Sequence, residues 1–205
     1  MGNSTSNPNR MAIAAMSHMM NITKPQLLQL RDKCISLSTR DASTPSGFKI
    51  SRDSFLKVMV DSRISSEPDY QVLDKLYTMW DRNGCGYVDT LTFFAGISPL
   101  ASVMDVNTKL QFAIEVYDYK KTGRVSRGSL VRLLQAINET SSYFGDKVLH
   151  KKQIVVVVDD FFDGENRLED DDAIQYEGRV EKIAHHPFVV EFSSGLGSSR
   201  YGNMQ

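Results

Sequence analysis

The chain has 205 residues, 41% of them hydrophobic and 24% charged, with a formal net charge of −1. That length suggests one larger domain or two small lobes with a real core, and the lack of a basic excess argues against nucleic acid as a partner. No apolar run approaches the roughly 20 residues of a membrane helix, and the two cysteines, Cys34 and Cys85, make no disulfide framework, so the composition predicts a reduced, cytoplasmic protein.

The first residues are MGNSTS, in which Gly2 and Ser6 match the N-myristoylation pattern. The alternative is an ordinary polar start. A single acyl chain on Gly2 gives only weak membrane contact without a second signal. Residues 11–22, MAIAAMSHMMNI, read either as an amphipathic arm that lies on a partner or as a helix packed on its own domain. Residues 1–22 are thus assigned to an N-terminal arm.

From there the chain alternates amphipathic segments with polar loops. TKPQLLQL places Pro25 near a helix start, and Phe55, Val58 and Met59 mark the next helix. Val72, Leu73, Leu76, Tyr77 and Trp80 follow helical spacing after a capping stretch SEPD, 66–69. Leu110, Ala113, Val116 and Tyr117 repeat the pattern, as do Leu130, Leu133, Leu134 and Ile137. The stretch IVVVVDDFF enters a fourth loop as a helix of β-prone composition, and Tyr176, Val180 and Ile183 face one way on the exit helix. Cys34 falls on an apolar helical pattern and reads as core. His185 and His186, next to Pro187, read as a helix end rather than a zinc site.

Within the four loops one apolar residue recurs, at Ile50, Val88, Val125 and Leu168, a period of about 40 residues that signals a repeated supersecondary unit. Helix, glycine-containing loop with one apolar residue, helix is the EF-hand plan. The expected fold is all-α: four EF-hand-like helix–loop–helix units in two paired lobes, residues 23–100 and 101–193, with a flexible tail at 194–205. The apolar residues should pair two loops back to back through short strands.

A calcium loop takes oxygen ligands at positions 1, 3, 5, 7 (a carbonyl) and 9, with a bidentate carboxylate at 12 and glycine at 6. In WDRNGCGYVDTLTF the loop from Asp81 to Thr92 offers Asp81, Asn83, the Tyr87 carbonyl and Asp89. Cys85 at position 5 is a poor ligand for a hard cation, and Thr92 stands where the bidentate Glu belongs. These residues make a weak candidate calcium site. The loop from Asp118 to Ser129 carries Lys120, Lys121 and Arg124, which repel a cation. Aligned through Ile50, the first loop runs from Ser43 to Ser54 with Asp53 in a non-ligand place. The fourth holds eight acidic residues between Asp159 and Asp172 but no clean ligand register. It reads as a non-standard weak cation site or as a solvated acidic loop.

The stretch from WDRNGCGYVD through F-x-x-G-I-S and KLQFAIEVYD to the loop after it resembles calcineurin B regulatory subunits, neuronal calcium sensors and the ciliary protein calaxin over about residues 70–138. The resemblance implies two EF-hand lobes and a helix-binding groove that grips a segment of a protein partner. Thr92 and Ser129 replace the family's closing Glu, and Lys120 an acidic ligand. No Ser/His/Asp set, P-loop or dinucleotide fingerprint is present, so a non-enzyme is expected. Three readings follow: a regulatory or adaptor protein with largely degenerate calcium loops, a constitutive component of a ciliary or cytoskeletal assembly, and a calcium-switched myristoylated membrane sensor.

Overall fold

The structure is a computed structural model, and it describes residues 22–62, 70–98, 105–143, 147–164 and 172–193. Gly2, the methionine-rich segment up to Asn21, the SEPD cap, Leu168 and the tail at 194–205 lie outside these residues. The described chain is mostly helical, with two small antiparallel sheets. It forms two compact units that divide between Phe93 and Phe94.

In the first unit, helix α1 (Lys24–Leu37) starts where Thr23 precedes Pro25; the Thr23 backbone N–H donates to Gln26 Oε1 at 2.9 Å. Its apolar face, Leu27, Leu30 and Cys34, is fully buried. A short strand β1 (Thr39–Arg40) follows, then β2 (Phe48–Ser51) and α2 (Arg52–Asp61), whose first turn is capped by Ser51 Oγ accepting from Ser54 N. Helix α3 (Tyr70–Trp80) leads through a tight loop to β3 (Tyr87–Asp89) and α4 (Thr90–Ile97), whose residues from Phe94 on belong to the second unit. The side chains of Val72 and Leu73 lie outside the described residues, whereas Leu76 and Tyr77 are buried. The aromatic centre is Phe55, whose ring sits 5.1 Å from Phe93 edge-on and 5.4 Å from Tyr77.

In the second unit, α5 (Val106–Tyr117) begins at Asp105, whose carboxylate accepts from Thr108 N at 2.7 Å. Strand β4 (Arg124–Ser126) and α6 (Arg127–Tyr143) follow, then α7 (Lys151–Phe162), β5 (Ala173–Gln175), α8 (Val180–Ala184) and α9 (Pro187–Ser193). The valine-rich run is a helix because Ile154, Val157, Val158, Phe161 and Phe162 are its buried residues, an i, i+3, i+4, i+7, i+8 stripe. Burial of that stripe outweighs the small helix penalty of β-branched residues. Pro187, which cannot continue the hydrogen-bonding of α8, opens α9.

Each unit joins two loops back to back. In the first, β1, β2 and β3 form a three-stranded sheet with Ile50 opposite Val88. In the second, β4 pairs with β5 and Val125 lies opposite Ile174.

These pairings correct three expectations. The apolar strand residue of the fourth loop is Ile174, not Leu168, because the loop after Phe162 runs longer before its strand begins. Tyr176 is not on the exit helix; it precedes a turn, and the helix starts at Val180. The first loop does not begin at Ser43: α1 ends at Leu37 and the added strand β1 intervenes.

Candidate functional site: the paired loops

The second loop carries the predicted metal-site residues. Helix α3 delivers Asp81, and α4 begins immediately after Asp89. Gly86, at φ 79°, makes the sharp turn that a side chain would strain. The Asp81 carboxylate accepts from Cys85 N at 2.9 Å through one oxygen and from Gly86 N at 2.8 Å through the other. Asp89 accepts from Thr92 N at 2.8 Å, which caps α4, and from Ser46 N of the first loop, also at 2.8 Å. Both carboxylates thus accept backbone N–H groups on both oxygens. The Tyr87 carbonyl accepts from the Cys85 thiol at 3.3 Å. Asn83 is exposed. Asp81, Asn83, Tyr87 and Asp89 therefore lie in one loop, as the spacing required, but no glutamate reaches toward them from Thr92.

The third loop repeats the device with different partners. Asp118 Oδ1 accepts from the Thr122 backbone and hydroxyl, each at 2.8 Å; Oδ2 accepts from Gly123 N at 2.7 Å and from the Tyr176 hydroxyl at 3.1 Å. Burial pushes the Asp118 carboxyl upward, but the hydrogen bonds from Thr122, Gly123 and Tyr176 together hold it below the usual carboxylate range. Ser129 at the closing position donates its backbone N–H to Ser126 Oγ and so belongs to a helix cap.

The first loop contains a carboxylate that sequence reasoning passed over. Asp41 Oδ1 accepts from Ser43 N at 2.9 Å, and Oδ2 pairs with the Lys49 ammonium at 2.7 Å. The Lys49 hydrogen bond, followed by those from Ser43, holds Asp41 far below the ordinary range and raises Lys49. Lys49 also lies 4.9 Å from the centre of the Tyr87 ring. Asp-x-Ser is a sequence signal for an Asx turn, and it would have pointed to Asp41. Asp53 sits in the first turn of α2.

A calcium loop needs several oxygens converging with high negative charge. Among the described residues, no group of three or more His, Cys, Asp or Glu is gathered tightly enough to hold a metal ion. In loop two only Asp81 and Asp89 are charged donors, and both already bond the backbone. In loop one the only positive charge at the carboxylate belongs to a lysine. These residues fit loop closure by the chain's own N–H groups better than they fit calcium coordination. Outside the loops, His185 ends α8 and His186 Nε2 meets Asp160 at 3.1 Å, a helix-end contact.

No family model and no solved structure matches the chain. Among curated proteins, it is 27% identical over 135 residues to the calcineurin B subunit of Naegleria gruberi, a match covering 66% of this chain and 70% of that one. It is 25% identical over 148 residues to the calcineurin B subunit of Candida glabrata, covering 72% and 77%. Over 94 residues it is 31% identical to the type 2 calcineurin B protein of Bos taurus, covering 41% and 55%.

Proposed function

Because the chain belongs to the EF-hand superfamily, with calcineurin B proteins among its relatives, we propose that it is a non-catalytic regulatory or adaptor protein that holds a helical segment of a partner protein. Its four helix–loop–helix segments are read as EF-hand units in two pairs, with largely degenerate calcium loops. The observation that carries this reading is that Asp81, Asp89 and Asp118 already accept backbone N–H groups of the chain itself, while Thr92 and Ser129 supply no closing carboxylate. A loop closed in this way keeps its apolar pairing, Ile50 with Val88 and Val125 with Ile174, without an ion. The unit then presents its shape to a partner constitutively. The relatives are named as components of a larger assembly, which supports a protein partner.

The test is capture with the tagged full-length chain in an extract of its own cells, in excess chelator and in calcium, followed by cross-linking and peptide mapping. The reading predicts one stoichiometric partner, captured equally in both conditions, with cross-links confined to a helical segment. Capture of no partner in either condition overturns the adaptor role. Capture only in calcium overturns the calcium-independent part.

A second reading, a fixed component of a cytoskeletal or ciliary assembly, draws on the same loop closure. It predicts that the protein stays with the detergent-insoluble fraction in chelator. Full extraction would rule it out.

A further inference from the structure

Helix α7 has an outer face that stays largely exposed in its own unit. Lys151, Lys152, Val155, Val156, Asp159 and Asp160 are all exposed, while Ile154, Val157, Val158, Phe161 and Phe162 are buried. At 3.6 residues per turn the six exposed residues fall within about half the helix circumference. Val155 and Val156 are 50% and 42% exposed, a small apolar centre with lysines on one side and aspartates on the other.

The order is symmetric about the point between Val155 and Val156. An antiparallel second copy of the helix, related by a twofold axis through that point, sets Lys151 opposite the partner's Asp160 and Lys152 opposite the partner's Asp159. The valines then meet at the axis. One strip on each molecule suffices, as a twofold interface requires. Charge order also runs against the local helix: cations at the N-terminus and anions at the C-terminus oppose the macrodipole. The arrangement therefore costs the helix stability, while an antiparallel neighbour would reward it. Asp159 pairs with Arg127, and Asp160 with His186, yet the aspartate side chains remain 52% and 56% exposed, open to a second cation.

We propose that the outer face of α7 is a twofold self-association surface whose occupant is a second copy of this chain. A strip one helix long is smaller than the roughly 800 Å² per partner of a standard interface, so the dimer is weak, with Kd on the order of 10⁻⁴ M. Salt weakens it, because the pairs are solvent-exposed.

Sedimentation equilibrium on the full chain, up to about ten times that Kd, tests the inference. A monomer–dimer equilibrium is expected. Lys151→Asp with Lys152→Asp should weaken it by about tenfold or more, as should Asp159→Lys with Asp160→Lys. Mixing the two variants should restore association as a heterodimer, since all four cross-pairs are then complementary; restoration also shows that both variants are folded. A wild-type chain monomeric throughout, a dimer indifferent to the lysine reversal, or no rescue on mixing would overturn the proposal. None of these outcomes bears on the capture experiment, so the two readings fail separately.

Discussion

Lys121 is in the left-handed region at φ 58°, where the second loop has Gly84 at φ 61° in the same place. A non-glycine residue there carries a steric penalty of about 1–2 kcal/mol. Lys121→Gly should therefore raise stability by about 0.5–1 kcal/mol, after the larger unfolded-state entropy of glycine is subtracted. Urea unfolding measures it, and a loss of stability would contradict the assigned backbone. Asp118 makes a stronger demand. It is 7% exposed and accepts four hydrogen bonds, so Asp118→Ala should cost about 2–3 kcal/mol. Its folded pKa is depressed. Its contribution is thus complete above the unfolded value of about 4 and fades as pH falls through the lower folded value. Wild-type stability should drop more steeply below about pH 4 than that of Asp118→Ala. The cysteines divide by environment: burial pushes the Cys34 thiol up to about 12, whereas Cys85 is exposed. A disulfide reagent should modify Cys85 in the native chain and reach Cys34 only on unfolding. Fast reaction of both would show that α1 does not seal its face. At this scale Asp81 and Asp118 were legible as loop-first residues and Asp89 as position nine. The cross-loop partners of Asp89 and Asp118, Ser46 and Tyr176, were not, because each comes from the neighbouring loop and no local spacing records it.

Among elements, the strand pairs decide what the loops can do. Ile50 is 1% exposed opposite Val88, and Ile50→Ala should cost about 2–4 kcal/mol, read as a fall in thermal midpoint. A cost under about 1 kcal/mol would place Ile50 outside the core. Amphipathic spacing was enough to find α1, α2, α5 and α6, since burial follows the 3.6-residue period directly, whereas the stripe of α7 was hidden by its β-prone composition. The registers of the first and fourth loops were not recoverable in that way. Both loops are lengthened, one by β1 and one by extra residues before β5. A repeat read from the apolar residue alone then chose Leu168, which follows Gly164 and looks local, over Ile174. The second loop, of standard length, was read in register and gives the sharpest test at this scale. Thr92→Glu with Cys85→Asp supplies a carboxylate at position 12 and an oxygen at position 5. Calorimetry should then detect calcium binding that is absent or far weaker in the wild type; unchanged heats would mean that α4 does not begin where the register puts it.

For the whole molecule, two compact units each hold a pair of loops fastened by carboxylates to backbone N–H groups, hydroxyls and a lysine. On the proposed reading, the polar interactions that an ion would otherwise supply come from the chain. This is why similarity to calcineurin B proteins informs the fold and the expectation of a partner, while ion dependence is a property of the individual side chains. The direct measurement is thermal unfolding of the full chain in excess chelator and in about 1 mM calcium. A ligand at a thousand times its Kd stabilises the folded state by about 4 kcal/mol, enough to raise the midpoint by several degrees in a domain of this size. Coincident unfolding curves are the predicted result, with the Thr92→Glu, Cys85→Asp variant shifting upward in calcium as the positive control. A wild-type midpoint that climbs by several degrees in calcium would contradict the account.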